Sequence, residues 1–159
     1  MDVKKIVVPL DGSALAETAI EAAMQIAREQ RATVVLVSAV EAPWLPGDAM
    51  VDAQVRVVRE GEEYLAVVAN RLRGAGVPIE TSVWYGEPAV SIIDAANAQH
   101  AGLIVMTSHG RSGLSRLIMG SVAESVLRGT TTPILLLRPA GATVARPNGT
   151  ARPMEETHA

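Results

Sequence analysis

Cysteine and phenylalanine are both missing from the 159 residues, and aromatic side chains make up only 3% of the chain. Without cysteine there is no disulfide, no thiolate metal centre and no cysteine nucleophile, and the composition suits a reducing compartment. Hydrophobic residues nevertheless reach 48%, so the core has to be built from Val, Ile, Leu and Ala. No run of Lys or Arg occurs and the net charge is −3, which argues against a nucleic-acid partner. No stretch approaches the roughly 18 apolar residues that span a bilayer. The opening MDVKKIVVPLDGS enters a strand without the apolar segment of a secretory signal. The expectation is a cytoplasmic protein with no membrane partner.

What is present alternates between two periodicities. Short apolar, β-branched runs at 4–10, 32–40, 102–107 and 133–139 read as buried strands, and 79–86 alternates like a half-exposed one. Between them lie helical patterns at 14–29, 51–73, 87–99 and 121–128. Leu15, Ala19, Ala22, Ala23 and Ile26 share one face of the first helix, and Ser13 can cap it. Val55, Val58, Leu65, Val68 and Leu72 form the stripe expected on the second. Met24, Met119, Trp44 and Trp84 read as apolar cover or gap filling. Continuously apolar strands alternating with helices imply an α/β fold. The expected sheet is open, five-stranded, parallel and doubly wound (Rossmann-like), with strand order 3-2-1-4-5. Residues 1–139 make one domain, and 140–159, poor in large apolar groups, read as a mobile C-terminal tail.

In such a sheet ligands bind beyond the carboxyl ends of the strands, where the strand order reverses. For this order the reversal lies between the first and fourth strands. Asp11 follows the first, in PLDGS, and SHGRSGLSRLIMGS follows the fourth. Asp11 can be a ligand residue or a plain turn and cap residue. The loop after the fourth strand is glycine-rich, with Gly110, Gly113 and Gly120, so backbone amides can approach a ligand. SVAE at 121–124 has the form of a capping box, in which Ser121 bonds the amide of residue 124 and Glu124 reaches back. A helix beginning there presents amides and a partial positive charge, which suits phosphate. His109, Arg111 and Arg116 are candidate phosphate contacts. No G-K-[ST] occurs, and the first strand has no glycine-rich dinucleotide fingerprint after it. A mononucleotide fits better.

These residues resemble the universal stress protein family in its ATP-binding form. The family pattern G-x2-G-x9-G-[ST] is met by Gly110, nine residues, Gly120 and Ser121, with Thr107 at the position of the first glycine. The family's P-x-D after the first strand is matched by Pro9 and Asp11, and TTPILLLRP is similar to its last strand. The resemblance implies that Asp11 bonds the ribose or positions a metal, and that Ala39 and Val40 lie beside adenine. It places Met106 and Thr107 at the nucleoside, and Gly110, Gly120, Ser121 and Val122 around the phosphates. It implies ATP with Mg²⁺ or Mn²⁺, the ion being carried by the nucleotide beside Asp11, and a homodimer formed through the strand at 133–138.

Three functions follow as expectations. One is a stress-response regulator that binds ATP and hydrolyses it slowly or not at all. Another is an ATPase or nucleotide hydrolase. The last is a dimeric stress module with no nucleotide. Phosphoryl transfer requires a metal, a positioned water and charge neutralisation. The loop offers no lysine and the chain shows no second acid poised as base, so binding without efficient catalysis is preferred, with no catalytic residue assigned.

Overall fold

A computed structural model describes residues 3–108 and 119–138. The candidates His109, Gly110, Arg111 and Arg116, and the expected tail at 140–159, lie outside the described residues. The elements run β1 (Lys5–Pro9), α1 (Ala14–Gln30), β2 (Thr33–Val40), α2 (Ala49–Arg71), β3 (Ile79–Tyr85), α3 (Pro88–Ala98), β4 (Leu103–Thr107), α4 (Ser121–Gly129) and β5 (Ile134–Leu137). All strand pairings are parallel, and the order is β3-β2-β1-β4-β5. This is the order expected from the sequence.

The two-residue period of the strands distributes their side chains between two cores. Ile6, Val8, Val34, Leu36 and Val105 face α1 and α2, meeting Ala19, Ala23, Leu65 and Val68. Val7, Val35, Val37, Ile104 and Met106 face α3 and α4, meeting Ile92, Ala95, Ala123 and Val126. The three central strands are therefore apolar on both faces, which is why they read as unbroken hydrophobic runs. β3 and β5 form the edges. Glu80 and Thr81 of β3 are exposed, and all four residues of β5 are half-buried. No helix of the described residues is long and apolar enough to cross a membrane.

Three expectations about packing need correction. On α1 the buried face includes Ala16, Ile20, Met24 and Ala27, with Leu15, Ala22 and Ile26 only partly buried along its flanks. On α2 Leu65 and Val68 are buried, but Val55 is 55% exposed and Val58 only half-buried. Ala53 and Gly61 take the inward positions instead. In both helices small residues turn inward because they let the helix approach the sheet closely, and a reading weighted by side-chain size overlooks them. Trp44 does not cover apolar surface, being 82% exposed. Trp84 and Met119 do pack against the second core, and Met24 is buried in the first.

Candidate functional site

β1 lies between β2 and β4 in the sheet, and the helices that follow these two strands pack on opposite faces, α1 on one and α4 on the other. A cleft of about 640 Å³ lies at the carboxyl ends of the strands. Pro9, Asp11, Ala39, Val40, Met106, Thr107, Gly120, Ser121 and Val122 all line it. Every sequence candidate among the described residues therefore faces the same space.

The start of α1 is held by its own side chains. Leu10 carries the ladder one residue past β1, its amide donating to Val37 at 2.7 Å. Gly12 then turns the chain with a φ of +82°, a conformation open to glycine. Asp11 Oδ1 accepts from the Ser13 amide at 3.0 Å and from Ser13 Oγ at 2.6 Å. Ser13 Oγ in turn accepts from the Ala16 amide at 3.1 Å, which is the expected cap. Asp11 thus fills the turn role considered for it while also lining the cleft. α3, whose Pro88 borders the cleft, is closed similarly. Glu87 accepts from the amides of Ala89 at 3.1 Å and Val90 at 2.9 Å.

α4 begins differently. The Ser108 amide donates to Leu137 at 2.8 Å, and the Gly120 amide donates to the Ser108 carbonyl at 2.7 Å. These two bonds seat Gly120 against the end of β4. Gly120 is the extended N-cap residue, and Ser121 is already inside the helix. The expected capping box is therefore not formed. A cap residue needs extended backbone, which Ser121 lacks, and Glu124 is engaged by Arg128 one turn on, at 2.8 and 3.1 Å. With glycine at the cap, no side chain of the described residues closes this helix end. Its first amides point along the helix axis, where a partial positive charge gathers.

The far wall comes from α2 and was not foreseen. Val57, Glu60, Gly61 and Tyr64 line the cleft opposite Val40, and Ser38 and Glu41 join them from β2 and its exit. Their periodicity gave no sign of a ligand face. The one visible irregularity was a glycine inside a helical pattern, which commonly has a packing or functional reason. The Tyr64 hydroxyl donates to Glu17 Oε1 at 3.0 Å, and Arg71 Nη2 reaches Glu17 Oε2 at 2.6 Å. Burial, followed by the Glu17 carboxylate, pushes the Tyr64 phenol well above its ordinary range. The cleft thus joins the start of α4 at its β4 side to a slot lined by Val40, Val57 and Gly61 together with the polar Ser38, Glu41, Glu60 and Tyr64. A ligand with an anionic end and a flat, weakly polar end matches both.

Comparison with known proteins agrees with this architecture. Residues 2–138 match the Universal stress protein family. Universal stress protein MJ0531 of Methanocaldococcus jannaschii is 36% identical over 139 residues, which cover 85% of this chain and 82% of the relative. Among solved structures, MJ0577 of the same organism superposes with a TM-score of 0.76 at 21% identity, covering 87% of this chain and 98% of that one. A universal stress protein in complex with cAMP superposes with a TM-score of 0.68 at 24% identity, covering 86% and 98%. That of Archaeoglobus fulgidus in complex with dAMP gives 0.57 at 21%, covering 86% and 98%.

Proposed function

The chain belongs to the universal stress protein family, and from that premise we propose that its cleft binds an adenine nucleotide, ATP in particular, and that the protein holds it rather than turning it over. One observation carries the reading. The candidates Asp11, Thr107, Gly120 and Ser121 converge on one cleft, at which no side chain of the described residues caps the start of α4. Phosphates would take the place of that cap, bonding the amides of Ser121 and Val122. The base would enter the slot beside Ala39 and Val40, with Met106 and Thr107 at the nucleoside and Asp11 at the ribose. The complexes of related proteins with cAMP and dAMP favour an adenine ligand.

Thr107, where the family pattern has glycine, is buried at the end of β4. Its side chain narrows that wall and supplies a hydroxyl there. No group of three or more His, Cys, Asp or Glu among the described residues could hold a cation. Mg²⁺ or Mn²⁺ would therefore arrive on the phosphates, with the Asp11 carboxylate as its protein neighbour. The other carboxylates of the cleft, Glu41 and Glu60, stand on the β2 and α2 side, away from the start of α4. This separation favours holding ATP over hydrolysing it.

The first test is to denature the purified protein and identify any released nucleotide by ion-pair chromatography with mass detection. Intact ATP near one per chain is expected. ADP or AMP alone would favour a hydrolase, and no nucleotide, with none taken up on titration with Mg²⁺, would contradict the reading. The position of β5 at the end of the strand order completes the proposal. Pairing with its copy across a two-fold axis would give a homodimer and continue the sheet. Sedimentation equilibrium should then return twice the 16.7 kDa chain mass, and a single-chain mass would refute the dimer.

A further inference from the structure

Gly61 sits in the middle of α2, a helix of 23 residues, and is buried. Glycine is a poor choice in a helix interior, where alanine is favoured. Its place is explained by what surrounds it. A Cβ built there would lie 3.1 Å from Val40 Cγ1 and 3.2 Å from Val83 Cγ1. Those separations are tighter than ordinary carbon contacts, so a side chain at residue 61 would make Val40 and Val83 give way by a few tenths of an ångström. Gly61, Val40, Val57 and Tyr64 all line the same slot of the cleft. The Val40 side chain is therefore shared between the helix contact and the cleft wall. Anything that crowds it from the Gly61 side displaces it toward the ligand space.

We propose that Gly61 is a specificity-determining residue, the bare helix position that lets Val40 stand back and opens the base slot to a two-ring purine rather than a one-ring pyrimidine. The inference rests on the nucleotide reading above and names which base that site selects. A pyrimidine nucleotide keeps the phosphate contacts but its single ring reaches less far toward the Val40 side chain. Purine binding therefore depends on how far Val40 stands back, and pyrimidine binding much less.

The test is calorimetric titration of Mg²⁺-ATP and Mg²⁺-CTP into the wild-type chain, Gly61→Ala and the double variant Val40→Ala/Gly61→Ala. One misplaced methyl in a tight slot should weaken ATP by about tenfold or more and CTP by less than about threefold. The melting temperature of Gly61→Ala reports folding separately, because alanine also raises helix propensity. Removing the Val40 methyls should restore most of the ATP affinity. Val40→Ile adds a methyl to the same side chain with α2 unaltered and should repeat the selective loss, so a poorly folding Gly61→Ala does not end the test. Equal loss of ATP and CTP in the variants, or no loss, overturns the proposal. A wild-type chain that binds ATP and CTP alike overturns it while leaving the nucleotide reading intact. A wild-type chain that binds neither overturns both.

Discussion

The starts of α1 and α4 face the same cleft and are finished in opposite ways. At α1, Asp11 fixes Ser13 and Ser13 bonds the Ala16 amide, so the local sequence satisfies its own backbone. At α4, Gly120 provides no side chain, and Glu124 turns to Arg128. α3 sides with α1, since Glu87 closes it. An N-terminal cap is worth about 1 kcal/mol, and leaving one out costs that much unless something else supplies it. A helix end that no side chain of the described residues caps, held against the end of β4 by the Gly120–Ser108 bond, has the arrangement of an anion site. A capped one has the arrangement of a structural corner. In the proposed reading, a capping side chain at Gly120 would compete with phosphate.

The most damaging way to break this contrast is to give α4 what α1 has. Gly120→Asp should cap α4 and place a carboxylate where phosphate is expected. Affinity for ATP should fall at least about 100-fold, about 2.7 kcal/mol, while the protein melts no lower than wild type. Calorimetric titration and thermal denaturation of the same sample check both halves. Asp11→Ala, which strips the turn at α1 and the group beside the ribose, should weaken ATP by about tenfold, as the same titration would show. Ser13→Ala sharpens the contrast from the other side. It should cost about 1 kcal/mol of stability, a fall of roughly 2–4 °C in melting temperature, while ATP affinity stays within about twofold.

The smallest effect concerns Tyr64, whose phenol is held protonated by burial and by Glu17. A folded-state pKa raised above the unfolded value gives stability that is complete below about pH 10 and erodes above it. The unfolded chain then ionises while the folded one resists. Tyr64→Phe should remove this alkaline loss, leaving a shallower decline in urea-denaturation midpoint between about pH 9 and pH 11. An unchanged slope would mean that folding does not hold the Tyr64 phenol protonated.

The sheet order could be read from the sequence because β1, β2 and β4 are buried on both faces and therefore uninterrupted in their hydrophobicity. The carboxyl-end rule then located Asp11, Thr107 and Gly120 around one cleft before any packing was known. Details that depend on competition between neighbours were harder to read. SVAE has the spacing of a capping box, yet Arg128 holds Glu124 and Gly120 takes the cap position. The second wall of the cleft was illegible for another reason. Val57, Gly61 and Tyr64 line the site from α2, whose inward face is built partly from the small residues Ala53 and Gly61. Hydrophobic patterning gave those positions little weight, and it placed Val55 inward although it faces solvent.

The most direct measurement is amide hydrogen exchange, residue by residue, with and without saturating Mg²⁺-ATP. The amides of Ser121, Val122 and Ala123 should become protected when ATP binds, while that of Ala16, already bonded to Ser13, should change little. ATP binding that leaves the start of α4 unprotected would contradict the claim that this helix end is the phosphate site.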